Sequence, residues 1–174
     1  MDLLHKTVIP CNELLFCTVR QIVSSDAVEA IMFYRHRVEF GTVKYVPEYR
    51  KASIHFPQSV PLEVSLIWGA VRDNYFYSIT EDFDFIVSDF SNFPQFIKIF
   101  STKLEDIPIS YETKAISHDL NFICIGGKSG NEAIVINVQN PENPQFCVSP
   151  LNVKEIISIV PAPEKNSFAI LAES

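Results

Sequence analysis

The sequence predicts an all-β fold, specifically a partial β-propeller of about three and a half four-stranded antiparallel blades. Two observations carry this. Short runs rich in β-branched and aromatic residues recur between clusters of Pro, Asn, Asp, Gly and Ser, with little sustained helical period. The chain also repeats itself at a spacing in the middle to upper forties.

The repeat is plainest where Asp89-Phe90-Ser91-Asn92-Phe93-Pro94-Gln95-Phe96 lines up with Asn137-Val138-Gln139-Asn140 and then Pro144-Gln145-Phe146, a spacing of 48 residues at the front and 50 at the back. The register extends both ways: 121–123 over 167–169, 28–34 over 74 onward, 36–43 over 83–90, and 51–56 over 96–101. Four strands emerge per period, as in a propeller blade. The clearest strands fall at 63–68, 74–79, 83–88, 96–100, 122–125, 133–138 and 168–171. The 174 residues are thus expected to form a single partial propeller domain with blades at about 13–57, 62–102 and 111–150 and a half-blade at 154–174. Proline-bearing linkers are expected at 57–61, 103–108 and 150–153. Helix remains the alternative where Ser25-Asp26 precedes Val28, Ile31 and Met32, and at Val153, Ile156 and Ile157; the repeat register favours strand. Three and a half blades do not close a ring, so the chain reads as a fragment, a short isoform, or a part completed by another chain or by self-association.

Composition narrows the function classes. A hydrophobic fraction of 47% opposes disorder, and no apolar run reaches membrane length, since Asp82, Asp84 and Asp89 interrupt the dense 83–90 stretch. The start, Met1-Asp2-Leu3-Leu4-His5-Lys6, has no signal-peptide pattern. Cys11, Cys17, Cys124 and Cys147 show no paired spacing, which points to a reducing compartment: the cytoplasm, with nuclear or peripheral-membrane placement as alternatives. A net charge of −7 with 14 Lys and Arg opposes broad nucleic-acid binding.

The stretch from Lys51 onward resembles the early-middle blades of PROPPINs, the phosphoinositide-binding propellers of autophagy. The similarity lies in Ala52-Ser53-Ile54-His55-Phe56-Pro57, in Phe85-Ile86-Val87-Ser88-Asp89-Phe90-Ser91-Asn92-Phe93-Pro94, and in Ile123-Cys124-Ile125-Gly126-Gly127 leading through 133–138. These elements cover about two thirds of the chain. The family's lipid motif is an aromatic or aliphatic residue followed by Arg-Arg-Gly, and no Arg-Arg pair occurs here. The resemblance therefore implies a partner-binding part, with the phosphoinositide sites outside this chain. Asn140-Pro141-Glu142-Asn143-Pro144 is similar instead to bacterial propeller repeats with a valine-asparagine-proline loop.

Gly126-Gly127-Lys128-Ser129-Gly130 echoes a phosphate loop, but Phe122 stands where a glycine is required and a strand follows instead of a helix, so a hairpin turn is expected. His5, His36, His55 and His118 have no metal-ligand spacing, and His118-Asp119 is expected to form a structural hydrogen-bond pair at a turn. Glu81-Asp82 with Asp84, and Glu105-Asp106, read as solvated hairpin tips, since no nucleophile motif accompanies them. No catalytic, cofactor or metal residue is assigned. The candidate partner-binding residues are Arg35, Arg37, Lys44, Arg50 and Lys51, which alternate with Val38, Phe40, Val43 and Tyr45, together with Trp68. The functional expectation is a non-catalytic protein-interaction or scaffold module, of an autophagy or membrane-trafficking assembly, with protein partners and no cofactor. The alternatives are a subunit of a coat or nuclear-pore complex, or an enzyme whose site needs a completed ring.

Overall fold

The structure, a computed structural model, describes residues 14–24, 26–46, 48, 51–104, 113–126 and 132–173. They form fourteen strands: β1 (Leu14–Ser24), β2 (Ala27–Tyr34), β3 (Arg37–Val46), β4 (Lys51–Pro61), β5 (Leu66–Arg72), β6 (Tyr75–Thr80), β7 (Asp84–Asp89), β8 (Ile97–Lys103), β9 (Thr113–Ile116), β10 (Phe122–Gly126), β11 (Glu132–Asn137), β12 (Gln145–Pro150), β13 (Glu155–Pro161) and β14 (Phe168–Glu173). Three four-stranded sheets run in chain order, β1 to β4, β5 to β8 and β9 to β12, and β13 and β14 form a two-stranded sheet. The segments aligned by the sequence repeat fall on corresponding strands: β2 with β6, β10 with β14, β3 with β7, and β4 with β8. Both segments with helical spacing, at β2 and β13, are strands.

The sheets share a burial gradient set by sequence. In the second strands both faces are covered: β2 buries Ala30, Ile31, Met32, Phe33 and Tyr34 in succession, β6 buries 76–80, and β10 buries 123–126. Such strands read as mainly apolar runs, interrupted in β6 by the buried Ser78 and Thr80. The fourth strands β8 and β12 are mostly exposed.

The chain divides into two compact units, residues 1–71 with 79–81, and 72–78 with 82–174. In the first, Phe16 stacks on Phe33 with ring centroids 4.4 Å apart, and Leu66, Ala70 and Ile79 add to the core. Residues 57–61, expected as a linker, are instead the second half of β4, which pairs Arg37 with Pro61 through Phe40 with Gln58 before shifting register to Thr42 with His55. The shift leaves one extra residue on β4, a bulge, and Pro57 lies within it, where a missing N–H costs no ladder bond. Gly41 sits opposite: a Cβ there would fall on the His55 carbonyl oxygen and within 2.6 Å of the Phe56 Cα. Residues 63–65, expected as strand, precede β5.

In the second unit, Tyr77, Phe85, Phe100 and Phe146 form an aromatic cluster, with the Phe85 and Phe146 rings edge to face at 5.6 Å. The Tyr77 hydroxyl (3.3 Å) and Arg72 Nη1 (3.1 Å) both donate to the Val138 carbonyl. The repeat is written into the hydrogen bonds as well. The N–H after β7 closes on the residue before β6, Phe90 to Asn74 at 2.9 Å, and the N–H after β11 closes on the residue before β10, Val138 to Asn121 at 2.8 Å. Asp89 accepts from the Ser91 N–H and Asn137 from the Gln139 N–H, so both aligned segments open with the same side-chain turn. Asp73 and Leu120 occupy corresponding left-handed positions, with φ of 53° and 58°. Ile156 and Ile159 of β13 pack with Ala115, Cys124 and Ala133 in one core cluster.

Two outcomes follow. Gly41→Ala is expected to cost about 1–3 kcal/mol, because backbone and not a flexible side chain must move, and urea denaturation measures it. Burial pushes the Tyr77 hydroxyl up to about 12. The folded value exceeds the unfolded one, so stability is full below pH of about 10 and falls as pH rises toward 12. Tyr77→Phe should remove that loss and cost about 1 kcal/mol at neutral pH, read from denaturation curves at both pH values.

Candidate interaction surface

The residues between β2 and β3, Arg35 and His36, are tied by backbone to the segment leading into β5. The Leu66 N–H donates to the Arg35 carbonyl at 2.8 Å, the Leu62 N–H to the His36 carbonyl at 2.9 Å, and the Glu81 N–H to the Ser65 carbonyl at 2.9 Å. Ser65 Oγ lies 3.0 Å from His36 Nδ1. These bonds fix Arg35 beside β5, where its guanidinium forms an ion pair with Glu81. Leu15, Arg35, Leu66 and Ile67 line an open cavity of about 270 Å³. That is smaller than a typical small-molecule site and suited to one or two partner side chains. The lining is mainly aliphatic, with one cation and its counter-ion at the margin.

The other sequence candidates do not join this site. Arg37 bonds Glu39 Oε1 through Nε at 2.8 Å and lies over the Tyr34 ring, 3.9 Å from its centroid. Lys44 is seven positions along β3, about 23 Å at strand rise, and by parity on the opposite face. The basic residues of this segment are therefore spread along and across the sheet. Asp26, near Lys44, has its carboxyl held below the ordinary range by the Ser24 hydroxyl bond first, with the Lys44 charge adding. Arg50 lies outside the described residues; Lys51 opens β4, paired with Val46. Trp68 is half-buried on β5 and shares a face with the buried Leu66 and Ala70, as a packing residue does.

Two other sequence features have structural partners. The Asp119 carboxylate accepts from Ser117 Oγ at 2.6 Å and from Asn121 Nδ2 at 2.7 Å, bonds that hold its carboxyl below the usual range. Ser117 and Asn121, not His118, build the expected turn network; His118 is exposed. Gly126 ends β10 and β11 follows as a strand, while the glycine-lysine turn at 127–131 lies outside the described residues. Among the described residues no three His, Cys, Asp or Glu side chains group as metal ligands do. Sequence reading missed Leu15, Leu66, Ile67 and Glu81. Glu81 lies 46 residues from Arg35, and no local pattern in the sequence signals the pair.

No protein-family model and no curated protein matches the sequence. Among solved structures, the chain is similar to the β-propeller domain of Cps50 (Swd1) from Myceliophteria thermophila, with a TM-score of 0.57 and 9% identity over 83% of this chain. The fold is that of a β-propeller. The alignment takes in 46% of the Cps50 chain, so this propeller sequence spans about half that length. At such identity the likeness speaks to architecture, consistent with the repeating sheets.

The propeller's Arg35 and Glu81 side chains are both substantially exposed, which limits the pair to about 0–1 kcal/mol. Glu81→Gln is therefore expected to leave the urea midpoint nearly unchanged while removing any salt dependence of stability that the pair confers.

Proposed function

We propose that this WD-repeat-like propeller is a non-catalytic protein-interaction module, that it corresponds to the partner-binding part of a PROPPIN, and that it serves an autophagy or membrane-trafficking assembly. The observation that carries the binding role is the open aliphatic cavity of Leu15, Leu66 and Ile67 with the Arg35 and Glu81 pair at its margin. An apolar centre with a charged rim is the anatomy of a protein contact. Of the acidic residues considered in the sequence, Glu81 is paired with Arg35, at the margin of that cavity. The family assignment rests on the PROPPIN-like runs at 52–57, 85–94 and 123–138.

Proximity labelling in cells, with the chain fused to a biotin ligase, tests this reading. Autophagy or trafficking proteins are expected among the labelled set, and Ile67→Asp should deplete them. Enrichment of coat or nuclear-pore proteins would overturn the pathway, and an unchanged set in the variant would overturn the site. In a parallel arm, vesicles containing phosphatidylinositol 3-phosphate should not retain the chain, because it has no Arg-Arg pair; co-sedimentation would contradict the placement of the lipid contacts.

A further inference from the structure

Each four-stranded sheet ends on an outer strand, β4, β8 or β12, along whose far side no strand pairs among the described residues. Unpaired edges template association unless something blunts them. β4 is blunted by Pro57, Pro61 and its bulge. β8 carries Lys98 and Lys103 and has a register shift at Val87 and Ser88 of its partner strand. β12 has no charge and no bulge, and its one proline, Pro150, stands at the strand end. Its sequence, Gln-Phe-Cys-Val-Ser-Pro, contains no charge, and all six residues pair with β11 in unbroken register, from Glu132 with Pro150 to Asn137 with Gln145. Cys147 and Val148 are exposed, whereas Phe146 is wedged against Phe85 and Phe100, which fixes the strand's position.

From these features we propose that the outer edge of β12 pairs with the same edge of a second copy of this chain. The strand is self-complementary in charge and shape. A two-fold axis through Cys147, normal to the sheet, sets Phe146 opposite the partner's Val148, twice by symmetry. It also sets Gln145 opposite Ser149, and Cys147 opposite itself. Aromatic with β-branched residues is a favoured cross-strand pair, and no like charges face each other despite the net charge of −7 per chain. The contact is isologous and closed, and it joins two four-stranded sheets into one of eight, within the size that open sheets reach. With six residues a side it is a small interface, so the dimer is concentration-dependent.

The register gives a direct test. Opposed Cys147 residues would have Cα atoms about 4.5–5.5 Å apart, well within reach of a short bismaleimide. The full chain carrying Cys11→Ser and Cys17→Ser, which keeps the natural β12, should crosslink to a dimer. Adding Cys147→Ser should abolish that product. In light scattering over a concentration series, Val148→Lys should weaken the dimer at least about tenfold by facing a lysine with Phe146, with circular dichroism confirming the fold. A monomer at every concentration, crosslinking that survives loss of Cys147, or a folded Val148→Lys variant with unchanged association overturns the proposal. Should Val148→Lys fail to fold, the crosslink on the natural edge decides alone.

Discussion

The structure depends on burying both faces of the second strand in each four-stranded sheet. β2, β6 and β10 place buried side chains on consecutive positions, so both parities are covered, and the two polar ones, Ser78 and Thr80, are small hydroxyls. Each buried Ile, Phe or Leu contributes about 1.5–3 kcal/mol, and Ile31, Phe33, Tyr77, Ile79, Ile123 and Ile125 are all essentially inaccessible. Away from these strands the demand relaxes, and the outer strands carry the lysines, prolines and hydroxyl residues that keep edges in water.

The turns enforce this arrangement by a second, polar mechanism. Asp89 and Asn137 cap corresponding loops with their own side chains, and the Val138 carbonyl beyond the second of these gathers two donors, from Arg72 and Tyr77. A buried phenol must find an acceptor, and here a single backbone oxygen satisfies it and draws the β5–β6 turn toward the β11–β12 turn. Polar satisfaction and aromatic packing through Phe85, Phe100 and Phe146 thus act on the same part of the second unit.

What was legible in the sequence follows from this division. The apolar runs at 30–34 and 123–126 are visible because double-sided burial there leaves no polar interruption, whereas 76–80 carries the buried hydroxyls of Ser78 and Thr80, and the Asx turns are visible because Asp or Asn must recur at one point of the period. Proline at 57 misled because its usual meaning, a strand end, gives way inside a bulge, and the bulge is specified by Gly41 on the neighbouring strand. The basic residues were legible only in part. Alternation assigns a face but not a partner, so Arg35 with Glu81 and Arg37 with Glu39 became apparent only when the strands were paired. The cavity was illegible because its lining comes from β1, the β2–β3 turn and β5.

The burial gradient has a consequence for how such a sequence drifts through evolution. Constraint falls on volume and apolarity at a few consecutive positions per period, not on the identity of any side chain. Ile, Phe and Leu are nearly exchangeable there if total volume is kept, and the exposed outer strands accept almost any strand-forming residue. A chain built this way keeps its sheets under most changes of letter, so the architecture it has in common with Cps50 needs no more than 9% identity.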